Sequence, residues 1–96
     1  MTTISILANV QIRDYEQFMT VFTTNGKAAR QRHGCQRAQV FTLPAPEQLV
    51  ILFDWSSRAD FEGFLADQTV KETMQASGTV GPPTFTFLTK TAELPA

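Results

Sequence analysis

Apolar and polar positions alternate from the start of the chain: Ile4, Ile6, Ala8, Val10 and Ile12 are separated by Ser5, Leu7, Asn9 and Gln11. A period of two belongs to a β-strand, so a first strand is predicted over 4–12. At Asp14 the period changes. Tyr15, Phe18, Met19 and Phe22 recur at i, i+3, i+4 and i+7, one stripe of a helix. Asp14 is placed to cap that helix, and Gly34, after the basic "KAARQRH", to stop it.

A second strand is predicted from Cys35 to Leu43, ending at "PAPEQ", whose two prolines cannot continue a ladder and mark a turn. "QLVILFDWSS" is the third strand. A second helical region follows in "SSRADFEGFLADQTVKETMQASG", with Ser56 or Ser57 as cap and Phe61, Phe64 and Leu65 as its apolar stripe, Met74 lying further on. Gly63 and the pair Thr69 and Val70 weaken its interior, which leaves one kinked helix or two short ones. After the loop "GTVGPP", "TFTFLTKT" is a last strand with Phe85 and Phe87 on one face.

The order is βαββαβ, the α+β, ferredoxin-like arrangement: a four-stranded antiparallel sheet with two helices on one face. A single domain over 1–96 is expected, with 91–96 as a loose tail. The third strand raises a problem for a monomer, because every residue from Leu49 to Phe53 is apolar. One face of the sheet is covered by helices; the other would expose roughly several hundred Å2, more than a soluble monomer ordinarily leaves bare. A second copy of the chain is the simplest cover, so a homodimer sharing a barrel of two packed sheets is expected.

Composition narrows the partners. Hydrophobic residues make up 43% and charged residues 18%, and the eight basic and nine acidic side chains leave a net charge near -1. That balance gives no attraction to nucleic acid or to an anionic membrane. The N-terminus has no basic leader, and no apolar run approaches the roughly 20 residues that span a bilayer. A cytoplasmic protein is expected. The lone Cys35 fits a reducing compartment.

The first strand "ISILANVQI", the helix end "RQRHGCQRAQVF", the run "VILFDWSSRADFEGFLADQTVKETM" and the entry "VGPPTFTFL" together resemble the antibiotic biosynthesis monooxygenase-like domain of the dimeric α+β barrel superfamily. The resemblance implies a cofactor-independent monooxygenase-like enzyme acting on a small aromatic or polyketide-type substrate. It equally admits a polyketide cyclase-like enzyme or a non-catalytic dimeric module that binds a small ligand. In the haem-degrading branch an Asn on the first strand accompanies a Trp and a haem-ligating His on the second helix. Here Asn9 matches the first, while Phe64 and Met74 stand at the other two places, so a His-ligated haem is disfavoured.

Other chemistries lack their residues. One His and one Cys do not make a protein-ligated zinc site. Cys35 lies only two residues from His33 across a glycine, with no nucleophile elbow, and "GTVG" lacks the strand-to-helix context of a dinucleotide fingerprint. No cofactor and no metal are expected.

The cofactor-independent chemistry that the resemblance implies asks for a dry pocket, a proton acceptor and a donor for a developing oxyanion. Asn9 and His33 are the catalytic candidates. Asn is depleted in strands and needs a partner when buried, and His33 is the one side chain whose ordinary pKa suits proton transfer near neutrality. The mixed parity of the first strand, carrying Asn9, is expected under the helices, and the uniformly apolar parity against a second protomer. Tyr15, Phe18, Phe22, Phe61 and Phe64 either line a ligand cavity or form the core. Trp55 either stacks on a ligand ring or seals the sheet edge or the dimer contact, and Met74 is a binding candidate that packing alone also explains. Arg30, Arg32 and Lys27 read as a solvated helix end, with an acidic substrate group as the alternative.

Overall fold

Four strands are hydrogen-bonded in the order β2-β3-β1-β4. The computed structural model describes residues 3–45 and 47–96; Pro46, in the expected turn before the third strand, lies outside the described residues, as do Met1 and Thr2. The elements are β1 (Ile4–Gln11), α1 (Tyr15–Phe22), α2 (Asn25–His33), β2 (Cys35–Thr42), β3 (Gln48–Trp55), α3 (Arg58–Ala66), α4 (Gln68–Ala76) and β4 (Thr84–Leu88). All pairings are antiparallel. The fold is the α+β, ferredoxin-like one, with the first expected helix broken in two and the second helical region formed as two short helices.

The caps behave as their chemistry requires. The Asp14 carboxylate accepts from the Gln17 amide at 2.7 Å, and the Ser57 hydroxyl accepts from the Asp60 amide at 3.0 Å. Gly34 ends α2 at φ 101°, a left-handed conformation that a side chain would strain. Its carbonyl then accepts from the Ser56 amide at 3.1 Å, tying this turn to the end of β3.

The two breaks have different causes. Between α1 and α2 no glycine or proline intervenes; instead the Thr23 hydroxyl donates to Met19 O and the Thr24 hydroxyl to Thr20 O, both at 2.7 Å. The backbone leaves the helical region at Thr24, φ -114° and ψ -92°, and these hydroxyls satisfy carbonyls at the end of α1. Between α3 and α4 the break falls at Asp67 rather than at Gly63 or at Thr69 and Val70. Asp67 is extended, at φ -73° and ψ 123°, and its side chain caps α4 by accepting from the Thr69 amide at 2.8 Å.

The register decides which parity of β1 meets the helices, and it reverses the expectation. Ile6, Ala8 and Val10 stand opposite Phe53, Ile51 and Leu49. These six, with Ile12, Phe18, Trp55 and Phe61, form the buried core under the helices. Burying Ser5, Asn9 and Gln11 there instead would strand polar groups among aromatic rings, at a cost of roughly 1–3 kcal/mol each if unpaired. Asn9 is exposed on the opposite face.

That opposite face is open. At its centre Leu7 stands opposite Leu52, and Val50 lies between Asn9 and Phe41. Phe41 is 49% exposed, and Leu43 and Leu88 are exposed at the margins. A polar row closes one end, where Asp54 accepts from the Ser5 hydroxyl at 2.9 Å and from Arg37 Nε at 3.0 Å.

Candidate functional site

The helical layer is made of two pairs, α1–α2 and α3–α4, and a cavity of about 80 Å3 lies between them and the sheet. The sheet contributes Ala8, Val10, Ile51 and Phe53 to its floor. Phe18, Phe22 and Ala29 wall it from the first pair, and Phe64, Val70 and Met74 from the second. The walls are almost wholly apolar because the helix stripes and the inward parity of two strands converge there.

Four polar side chains reach this lining: Arg30, Thr73, Ser77 and Thr79. The three hydroxyls have partners. Thr73 Oγ1 donates to Thr69 O at 2.9 Å, and Ser77 Oγ donates to Met74 O at 2.6 Å while meeting Thr79 Oγ1 at 2.9 Å. Arg30 is different. Its guanidinium lies 3.9 Å from the centroid of the Phe22 ring, and Nη1 donates to Phe22 O at 2.9 Å. Gly26, one turn earlier on α2, makes room for it, since a Cβ there would sit 3.2 Å from Arg30 Nη1. Burial pushes the Arg30 pKa down, an effect that neighbouring Cys35 partly offsets. Burial likewise pushes the Cys35 thiol up, so it is no activated nucleophile.

The expected site residues divide between this cavity and other places. Phe18, Phe22, Phe64 and Met74 line it. Trp55 and Phe61 do not; they are fully buried beside it, with ring centroids 5.4 Å apart. Trp55 therefore seals neither the sheet edge nor a dimer contact, because β3 is a central strand and the odd parity of its residues points to the helices. Its Nε1 has no hydrogen-bond partner among the described residues. Tyr15, in the first turn of α1, is 45% exposed and stands outside the cavity.

His33 and Asn9 do not come together. His33 Nε2 is 2.7 Å from Asp67 Oδ2, which also accepts from Arg32 Nη2 at 3.1 Å. The imidazole meets the edge of Phe64 with centroids 5.8 Å apart, so one aromatic ring separates it from the cavity. Hydrogen bonds from His33, Arg32 and the Thr69 amide hold the Asp67 carboxyl well below the usual carboxylate range. Asn9 instead lines a concavity of about 250 Å3 on the open face, with Gln11, Leu43, Gln48, Val80 and Thr84. That hollow is larger but half polar and lies on the face a second protomer would cover.

Sequence reasoning missed Arg30 as a cavity wall and Asp67 as the partner of His33. The first left a signal: Gly26 and Arg30 are four apart, the spacing that places two residues on one helix face. The second left none, because 34 residues separate the pair. Among the described residues no three His, Cys, Asp or Glu side chains converge as metal ligands, and no helix is long and apolar enough to cross a membrane.

A family profile described as antibiotic biosynthesis monooxygenase matches residues 1–76. Among solved structures the chain is similar to SnoaB, a cofactor-independent oxygenase from Streptomyces nogalater, with a TM-score of 0.78, 16% identity and all of both chains covered. It is similar to Rv0793 from Mycobacterium tuberculosis at a TM-score of 0.68 and 14% identity, over 96% of this chain and 98% of that one. A conserved protein from Methanosarcina mazei Go1 gives 0.70 and 19%, over 94% of each chain. At these identities the likeness is one of fold. No curated protein matches the sequence significantly.

Proposed function

The chain belongs to the antibiotic biosynthesis monooxygenase family, and from that premise we propose a cofactor-independent monooxygenase-like enzyme that takes a small aromatic or polyketide-type substrate into the cavity under its helices. The observation that carries this is the cavity's lining: apolar on all sides, with one cation in its wall. In such chemistry the deprotonated substrate is itself the reductant of dioxygen, one oxygen atom entering the product and the other leaving as water. The protein then has to exclude water, accept a proton and stabilise an oxyanion.

The lining supplies the dry walls, and Arg30 the donor. We assign the proton acceptor to His33, with Asp67 fixing the ring through Nε2. Phe64 stands between His33 and the cavity, so its ring has to swing aside for the transfer. The cavity of about 80 Å3 is also smaller than the roughly 300 Å3 of an ordinary small-molecule site. Entry of a multi-ring substrate therefore requires the two helix pairs to part.

The open sheet face supports the homodimer. Leu7, Val50, Leu52 and Phe41 give it an apolar centre that a second copy would bury, as in dimeric α+β barrels. Asn9 then belongs to the interface between protomers. A cytoplasmic setting suits the lone free Cys35.

A second reading is favoured by one observation: the lining holds no His, Cys, Asp or Glu side chain. On that reading the dimer binds a small ligand without transforming it. Oxygen uptake with hydroxylated anthrones or naphthols separates the two. Consumption of one dioxygen per substrate supports the oxygenase; binding of these compounds without uptake supports the binding module.

A further inference from the structure

We propose that Arg30 is an anion anchor, so that the ligand of this cavity is an apolar, ring-bearing molecule with one ionised oxygen group, a carboxylate or an enolate. The inference rests on the reading of the cavity as the ligand site and adds what that ligand must carry.

The arginines of the chain differ in their company. Arg32 pairs with Asp67, Arg37 with Asp54 and Arg58 with Glu62, at 3.1, 3.0 and 3.3 Å. Arg13 is exposed to solvent. Arg30 is half-buried in the cavity wall and has no carboxylate within ion-pair distance among the described residues. A guanidinium carries five N–H donors, and the Phe22 carbonyl is the one acceptor Arg30 has among the described residues. A partly desolvated cation with unused donors is costly, and an anion arriving in the same low-dielectric space offsets that cost.

The surroundings are shaped for the group. The Phe22 ring supports one face of the guanidinium, and Gly26 leaves the space its Nη1 occupies, which any Cβ would crowd. The three hydroxyls of the lining are already engaged. Arg30 is therefore the polar side chain of this wall with capacity left for a ligand. Since a guanidinium keeps its proton across the accessible pH range, it cannot serve as the base; it binds and stabilises the anion.

Benzoate and nitrobenzene test this directly, because they share size and shape and differ by one negative charge. Calorimetric titration of the intact protein at pH 8 should show benzoate binding at least tenfold more tightly than nitrobenzene. In Arg30→Met that ratio should fall to near one, with Arg30→Lys in between, each variant first checked for native circular dichroism. Equal affinity of wild-type protein for the two probes overturns the anion anchor and leaves the cavity reading standing. Absence of binding by either probe overturns both. An unchanged ratio in a folded Arg30→Met also refutes the anchor, and if that variant does not fold, the wild-type comparison alone decides.

Discussion

His33, the last residue of α2, holds Asp67, the residue between α3 and α4, across 2.7 Å. The two helix pairs that roof the cavity are thus tied at this end, and Arg32 doubles the tie from the same helix end. Because Asp67 also caps α4, a single carboxylate fixes the direction of one helix and its attachment to another.

This has a pH signature. The Asp67 pKa is lowered in the folded protein, first by His33, then by Arg32 and the Thr69 amide. A lowered carboxylate pKa stabilises the fold fully above the unfolded value of about 3.9, and that contribution is lost as pH falls toward the folded value. Asp67→Asn keeps a capping side chain and removes the charge. Melting temperatures of wild type and Asp67→Asn should differ most at pH 5 and above and converge as pH drops below about 4. A constant gap down to pH 2 would show that the charge plays no part.

For catalysis, His33→Ala should retain benzoate binding within about threefold while turnover drops by about 100-fold or more, the usual size of a general-base effect. Stopped-flow oxygen consumption, with Asp67→Asn as the control for a loosened tie, checks it. Equal turnover by His33→Ala and wild type removes His33 from the mechanism.

Asn9→Ala should leave ligand affinity in the helix-side cavity unchanged within about twofold, since the carboxamide projects from the other face of the sheet. A large loss of benzoate affinity in calorimetry would contradict the placement.

Leu52→Arg should split a dimer and spare the fold. Leu52 stands opposite Leu7 at the centre of the open face, away from the buried core. Light scattering after size exclusion should move from twice 10.7 kDa to 10.7 kDa, with the helical circular dichroism kept. A wild-type protein that already runs at the smaller mass would remove the case for pairing through this face.

Gly34→Ala should cost about 2 kcal/mol or more by urea denaturation. The left-handed backbone alone accounts for about 1–2 kcal/mol, and the new Cβ would lie 2.5 Å from Ser56 Oγ. Gly63→Ala, in the interior of α3, has its nearest contact at 3.9 Å from His33 Nδ1 and should stabilise by roughly 0.5–1 kcal/mol through helix propensity.

The element order was legible because periodicity is local: the alternation of β1, the stripe of α1 and the caps at Asp14 and Gly34 each depend on a few neighbours. Which parity of β1 faces the helices was not, because β3 is apolar on both faces and accepts either choice. Only pairing with Leu49, Ile51 and Phe53 settled it, and with it the position of Asn9. The break at Thr23 and Thr24 escaped notice since threonine is tolerated within helices and acts here through hydroxyl bonds that composition does not reveal. Of the residues lining the cavity, Phe18, Phe22, Phe64 and Met74 were legible from helix stripes. The contact of His33 with Asp67 was not legible, because the two are distant in sequence, and the charge of Arg30 reads as a solvated helix end although Gly26 makes room for it in the cavity wall.

The strand order also sets a schedule for synthesis. β1 is made before both of its partners, β3 and β4, with Ser5 paired to Leu88. Until that last strand emerges, one edge of Ile4–Gln11 has no neighbour, and its isoleucines and valine stay available for wrong pairings. Sheet completion therefore waits on the last strand to be made, and pairing of strands distant in sequence is slower than local helix formation. Until "TFTFL" docks, the sheet is three-stranded and β1 is its exposed edge.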